Sequence, residues 1–297
     1  MKAAAHKLLT AALAPKTRHA YQNALTCFST FRSATRRPNS WPSSPNEVEA
    51  FIGYLAVNNF AYTTACTYLS GLAFAHKVRG WPDPTKSFTI GKMLTGLKKL
   101  CHRPDRRRPI TLITLSSLIQ SLTTACISQY EQSLFKAAFL LCFFGLLRVS
   151  EFTATSKTSP SPLLTSHCRS SRDRLITILI THSKTDQFHQ GHLIKLWRTN
   201  DPILCPYAAL HNFIHNHRLN KPGPLFIHTD ETPLTSYQFS AILQKTASHS
   251  GIPRKGLSSH SFRIGACSLA SALGVSTQDI KRLGRWSSQA FTSYVRV

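Results

Sequence analysis

The sequence places a histidine and an arginine where they could act together on an anionic group. His260 and Arg263 lie three residues apart in the segment SHSFR, so they share one face if the segment is helical. Ser258 or Ser259 can cap that helix, whose N-terminus offers backbone N–H groups and a positive dipole to an anion. A histidine and an arginine at this spacing also occur often as an ordinary surface pair.

Two further cations precede this segment. Arg148 ends a long apolar stretch, and an arginine at such a position is usually paired or bound to an anion because burying it alone costs too much free energy. Glu151 is a simple candidate for its salt-bridge partner. Lys184 lies in HSKTD at a predicted turn, where a lysine is normally only solvated. Alone, it would be assigned no role.

The charge of the chain indicates a polyanionic partner. Lys and Arg number 36 against 12 acidic residues, which gives a formal net charge of +24. The excess is spread along the chain, with 15 basic and 4 acidic residues in 1–106 and 21 and 8 in 107–297. A soluble protein of this charge most often meets nucleic acid, and the even spread suits two lobes that both face a phosphate backbone.

The order of these residues along the chain resembles the tyrosine recombinase (phage integrase) family. GLLRVSEF resembles the first arginine box of that family, and SHSFRIGACSLASALGVSTQDIKRLGRWSSQAFTSYVRV resembles the second box through to the nucleophile. LAPKTRHAY resembles the first helix of the DNA-clasping domain, and LCPYAAL resembles the helix start after the hairpin. GWPDP and GRW look most like integrases of eukaryotic Crypton and DIRS-like mobile elements.

The resemblance implies a site-specific recombinase or integrase that cuts and rejoins double-stranded DNA through a 3′-phosphotyrosine, with no metal, cofactor or ATP. The catalytic residues that it implies are Arg148, Lys184, His260, Arg263, Arg285 and Tyr294. Tyr294 would attack phosphorus, and Lys184 would protonate the leaving 5′-oxygen. Arg148 and Arg263 would stabilise the charge on the phosphorane, because each planar guanidinium can donate two hydrogen bonds. His260 would act as a base or donate a hydrogen bond to phosphate.

Two features depart from the pattern of the family. Nine residues before the tyrosine the family usually has His or Trp, whereas this chain has Arg285 there and Trp286 beside it. The register favours Arg285, and Trp286 is the alternative occupant of the same place. Many members also continue into a helix that docks on a neighbouring subunit, whereas three residues follow Tyr294 here. A homo-oligomer on DNA, a tetramer by resemblance, is therefore a weaker expectation than the chemistry.

The predicted fold is mainly α (α+β). Helical periodicity predicts a small helical bundle in residues 1–104, with Asn46 as the cap of one helix. The resemblance implies that this bundle is a SAM-like domain that clasps DNA. Residues 105–110 are predicted to form a basic linker, either solvated or against phosphate. Residues 111–297 are predicted to form a mostly helical catalytic domain with one β-hairpin, 174–180 and 192–197. The residues predicted to contact DNA are Arg18, Arg106, Arg107 and Arg108.

Other classes of protein fit the sequence less well. The 8 cysteines show no CxxC pair and are expected to be free thiols, and the 14 histidines lack companions at ligand spacing, so no metal site is expected. No segment is apolar over the length of a membrane span. A nuclear location is expected in a eukaryote, and the cytoplasm or nucleoid in a prokaryote. Two alternatives remain: a domesticated relative that binds DNA without cleavage, and relaxation of supercoils like a type IB topoisomerase.

Overall fold

The computed structural model describes residues 2–101, 104–181, 183, 186, 190–218, 221–286 and 288–296. The chain divides into two compact units, Met1–Asp105 and Arg106–Val297. Both are largely helical, and the second also holds a small antiparallel sheet. The predicted mainly α fold with a small sheet is therefore confirmed. Within the described residues, no helix combines the length and apolar character that a membrane crossing requires.

The first unit is a helical bundle built around aromatic side chains. Its core joins Phe28, Phe31 and Phe51, whose rings lie 5.0 to 5.8 Å apart. These residues recur at helical spacing, which is why the periodicity of the sequence predicted the bundle. The helices are α1 (Lys2–Ala11), α2 (Pro15–Ala34), α3 (Pro45–Val57), α4 (Tyr62–Val78) and α5 (Phe88–Leu100).

The start of α3 differs from the prediction. Ser44 caps the helix, its hydroxyl accepting a hydrogen bond from the N–H of Glu47 at 3.2 Å, and Pro45 takes the first helical position. Asn46 was therefore wrongly predicted as the cap, because proline is favoured at the position that follows a cap. Glu47 also accepts a hydrogen bond from the Nε of Arg32 at 2.7 Å, which neutralises a guanidinium buried in the core of this unit.

The second unit is organised around one buried helix. Residues 134–143 of α8 are almost all inaccessible to solvent, and α11 packs against this helix. The segment before α8 forms two short helices, because α6 ends at Gln120 and α7 starts at Leu122. The helices are α6 (Leu112–Gln120), α7 (Leu122–Ala125), α8 (Gln129–Phe144), α9 (Pro206–Phe213), α10 (Ser236–His249), α11 (Ser259–Ala272) and α12 (Thr277–Gly284).

The sheet of the second unit has three antiparallel strands in the order β1-β2-β3. They are β1 (Cys168–Ser170), β2 (Leu175–Ile180) and β3 (His192–Trp197). The predicted hairpin corresponds to β2 and β3, with Ile178 opposite Ile194 and both side chains buried. Strand β1 was not predicted, because three residues of mixed polarity are too short to show an alternating pattern.

The predicted linker is not solvated over its whole length. Its last residue, Ile110, is fully buried, and its N–H donates to the carbonyl of Ser261 in α11 at 3.0 Å. Gly265 makes this approach possible, since a Cβ at that position would lie 1.8 Å from the carbonyl oxygen of Ile110. The end of the linker is thus a packed part of the second unit, next to the helix that carries the HxxR motif.

Replacing Gly265 with alanine is expected to destabilise the protein by about 3 kcal/mol, because the methyl group collides with backbone rather than with a flexible side chain. Urea denaturation measures the change in the free energy of unfolding. The control is Gly96→Ala in α5, where a Cβ would meet nothing within 4 Å and where alanine should add about 0.5–1 kcal/mol. Equal stabilities of the two variants would contradict the close approach of residue 110.

Candidate active site

Arg148 is positioned by the sharp turn that follows α8. Leu146 adopts a left-handed backbone conformation with a φ of 46°, and Arg148 then precedes a short 3-10 turn, Val149–Glu151. The N–H of Arg148 donates to Glu151 Oε2 at 2.9 Å, and its Nη1 donates to Glu151 Oε1 at 2.9 Å. Glu151 is 2% exposed, so this carboxylate holds the arginine from inside the protein.

Arg263 lies one helical turn after His260, on the buried side of α11. Its side chain is fully buried and donates to the main-chain carbonyls of Leu146 and Gly284. One guanidinium therefore joins the turn after α8 to the end of α12. His260 lies near the start of α11 and is only partly buried. The N-terminal end of this helix is therefore partly open to solvent.

Arg285 completes a group of three guanidinium groups. It ends α12 in the left-handed conformation, with a φ of 57°. This places Nη2 2.8 Å from Glu151 Oε2 and 2.9 Å from the carbonyl oxygen of Leu146. Glu151 thus bridges Arg148 and Arg285, and Leu146 accepts hydrogen bonds from Arg263 and Arg285.

This group is rich in positive charge. Arg148 and Arg285 both pair with the carboxylate of Glu151, and Arg263 donates to the main-chain carbonyls of Leu146 and Gly284. Burial, together with the charges of Arg148 and Arg285, lowers the pKa of Arg263 to about 10. Burial also lowers the pKa of Arg285. The guanidinium group is a strong base that hydrogen-bonds anions well, so a cluster of three arginines favours an anion.

Trp286 packs beside both Arg263 and Tyr294. Its ring centroid is 3.9 Å from the Cζ of Arg263 and 5.2 Å from the ring of Tyr294. Gly284 allows this packing, because a Cβ there would lie 1.6 Å from the indole. Both residues of the predicted pair therefore reach the site: Arg285 bonds to protein groups, and Trp286 stands beside the tyrosine.

Tyr294 is the last residue of a 3-10 turn, Gln289–Tyr294, and is partly buried. The Cζ of Arg263 is 5.6 Å from the centre of its ring, and the ring of His260 is 6.2 Å away. The structure thus brings together five of the residues singled out in the sequence: Arg148, His260, Arg263, Arg285 and Tyr294. Their catalytic roles remain predictions.

The remaining predicted site residues lie in other positions. Lys184 falls outside the described residues, although the strands β2 and β3 on either side are described. Arg18 is exposed on α2 in the first unit. Arg106 is exposed and Arg107 and Arg108 are partly buried at the start of the second unit.

Glu151 pairs with two arginines, whereas the sequence suggested only Arg148 as its partner. The sequence did not point to His192, which begins β3. Its pKa is lowered by burial and by the charge of Arg285, while Glu151 opposes that change. No pattern in β3, which also contains Lys195, marks His192 from the sequence alone.

Solved structures of similar fold are DNA recombinases. XerH site-specific recombinase bound to palindromic difH substrate superimposes with a TM-score of 0.66 at 16% identity, over 94% of this chain and 76% of that one. The Tn1549 transposon integrase bound to transposon right-end DNA gives 0.66 at 14% identity, over 96% and 90%. Lambda integrase, as a dimer bound to a COC′ core site, gives 0.62 at 13% identity, over 96% and 72%.

The chain has the tyrosine-recombinase fold. The likeness runs through both units, since it covers 94 to 96% of the chain. No protein-family model and no curated protein matches the sequence. At identities of 13 to 16% the tyrosine-recombinase fold is shared, and the activity has to be argued from the side chains of the site.

Proposed function

We propose that this protein is a site-specific DNA recombinase or integrase that cuts and rejoins double-stranded DNA through a 3′-phosphotyrosine at Tyr294. The observation that carries the proposal is the group of three arginines, two of them paired with Glu151 and the third, Arg263, 5.6 Å from the tyrosine ring. A phosphodiester in the act of substitution is an anion with added charge on its non-bridging oxygens. Three guanidinium groups close together match that species.

The reaction forms one phosphoester and breaks another. The Tyr294 oxygen attacks phosphorus, the bond from phosphorus to the 5′-oxygen breaks, and that oxygen takes up a proton from Lys184. His260, whose ring lies 6.2 Å from that of Tyr294, is the candidate to accept the phenolic proton or to bind the phosphate. The ester energy stays in the phosphotyrosine, so a 5′-hydroxyl rejoins the strand in the reverse step without ATP.

Arg263 is fully buried, so a phosphate reaches it only when the side chains that cover it shift. Its hydrogen bonds to Leu146 and Gly284 use one hydrogen on each amino nitrogen, and a guanidinium carries five. The same burial supports one other candidate function, a relative that binds DNA without cleaving it, in which Arg263 only joins parts of the fold. Covalent trapping separates the two.

The relatives in structure suggest the biological setting. One is an integrase described with transposon right-end DNA and another a recombinase described with its difH substrate. We infer that the substrate is DNA with paired recombination sites. We also infer that the protein acts for a mobile element, of the Crypton or DIRS-like kind that the sequence resembles. A tetramer on DNA and a nuclear location in a eukaryotic host belong to the same proposal.

The proposal is tested with a nicked suicide duplex taken from the protein's own locus. The short fragment after the cleavage site diffuses away, so the covalent complex accumulates. Mass spectrometry of proteolytic peptides is expected to find one nucleotide-bearing peptide, the one that contains Tyr294. A folded protein that binds the duplex and yields no adduct would favour the function of binding alone.

Lys184→Ala is expected to slow cleavage by about 10²–10⁴-fold, the usual contribution of a general acid. A substrate with sulfur in place of the 5′-bridging oxygen should restore most of the rate, because a thiolate leaves without a proton. Gel quantification of the covalent complex with both substrates measures this. If Lys184→Ala slows cleavage of the 5′-oxygen and the 5′-sulfur substrates equally, Lys184 is not the general acid.

A further inference from the structure

Main-chain hydrogen bonds hold the end of the linker against the start of α11, beside the candidate site. The N–H of Arg108 donates to the carbonyl of Gly256 at 2.9 Å, and that of Ile110 donates to Ser261. Gly256 has a φ of +85°, and a Cβ there would lie 2.5 Å from the carbonyl oxygen of Arg106. The backbone of 106–110 is therefore held against the residues that begin α11.

This fixed backbone sends three consecutive arginines in different directions. Arg106 is exposed. The side chain of Arg108 turns onto the protein and donates to the carbonyl of Pro253. Arg107 reaches Tyr294, with its Cζ 5.9 Å from the centre of the tyrosine ring. All three were predicted to follow the DNA backbone, and their surroundings in the structure differ.

Arg107 differs from the other guanidinium beside the tyrosine. Arg263, at 5.6 Å, is fully buried and hydrogen-bonded to two main-chain carbonyls. Arg107 lies at almost the same distance from the ring but is only partly buried. Of these two cations, Arg107 is the one whose side chain is partly open to solvent, the side from which a phosphate arrives.

We propose that Arg107 is a further catalytic residue, which binds the phosphate that Tyr294 attacks and remains bound to the resulting phosphotyrosine. This inference rests on the proposed function and adds a fourth guanidinium to Arg148, Arg263 and Arg285. A planar guanidinium can donate two hydrogen bonds to one phosphate, and the negative charge to be neutralised increases as the new bond to the tyrosine oxygen forms. Arg107 exchanges no proton in this step.

The main test compares Arg107→Ala with Lys255→Ala, which removes an exposed cation next to Gly256. Arg107→Ala is expected to slow formation of the covalent complex by about 10²–10³-fold, the cost of one oxyanion-stabilising donor. Lys255→Ala should leave that rate unchanged. Arg107→Lys keeps the charge without the planar fork and should retain part of the rate, which also shows that loss of folding is not the cause.

A second measurement identifies the charge as the reason. With a neutral methylphosphonate at the scissile position, the difference between wild type and Arg107→Ala should largely disappear. Inorganic phosphate binding, followed by ³¹P NMR on the protein without DNA, should weaken in Arg107→Ala and not in Lys255→Ala. This second readout needs no cleavage.

The outcomes separate this inference from the proposed function. Loss of rate and of phosphate binding in Arg107→Ala supports both. Phosphate binding that depends on Arg107, in a protein that forms no covalent complex, keeps the anion site and overturns the recombinase activity. If Arg107→Ala behaves like Lys255→Ala in rate and in phosphate binding, Arg107 has no part in the site.

Discussion

Tyr294→Phe is expected to abolish the covalent DNA complex and to leave DNA affinity close to that of wild type. The ring contributes the contacts with Trp286 and Arg263, at 5.2 and 5.6 Å, and phenylalanine keeps that ring. Only the hydroxyl oxygen is lost, which is the atom that must bond to phosphorus. Denaturing electrophoresis of the trapped complex and a binding isotherm measure the two effects separately.

The control is Tyr237→Phe, which removes a hydroxyl from an exposed tyrosine on α10. That variant should form the covalent complex at the wild-type rate. An adduct that persists in Tyr294→Phe would place the nucleophile on another residue. A variant that no longer binds DNA would show that the hydroxyl serves recognition.

Glu151→Gln is expected to destabilise the second unit by about 3–5 kcal/mol, the usual cost of leaving buried charges without their partner. Its carboxylate accepts hydrogen bonds from Arg148 and Arg285 and is 2% exposed. Glutamine keeps the size of the side chain but removes the negative charge that pairs with Arg148 and Arg285. Urea denaturation measures the change in the free energy of unfolding.

Phosphate should recover part of this loss, because an anion bound among the arginines replaces the missing charge in the folded state. The control is Asp279→Asn, which removes the acid of an exposed ion pair with Arg282 and should cost about 0–1 kcal/mol. If Glu151→Gln is no less stable than Asp279→Asn, the carboxylate does not hold the arginines together in solution.

Much of the fold could be predicted because the signals lie within single segments. Apolar residues at helical spacing marked the bundle of the first unit and the buried helix α8, and β-branched runs marked β2 and β3. Strand β1 and the Ser44 cap were missed, since one is only three residues long and the other competes with Asn46 in the same segment. The docking of Ile110 depends on Gly265, which is distant in sequence, and no local pattern reports such a contact.

The sequence predicted which residues form the candidate site but not the burial or the hydrogen-bond partners of their side chains. The order of the motifs gave Arg148, Arg263 and Tyr294. Nothing in the sequence indicated that Arg263 would be fully buried, or that Glu151 would serve Arg285 as well as Arg148. These properties arise where three segments far apart in the chain meet.

Contacts within the second unit hold the chain both before and after Tyr294. Phe291 is buried near Trp286, and the N–H of Arg296 donates to the hydroxyl of Ser268 in α11 at 2.8 Å. In the proposed reaction each polypeptide would therefore supply Tyr294 in cis, to its own arginines. Two differently inactivated chains should then not complement each other, so a mixture of Tyr294→Phe and Arg263→Ala subunits is expected to recover no cleavage.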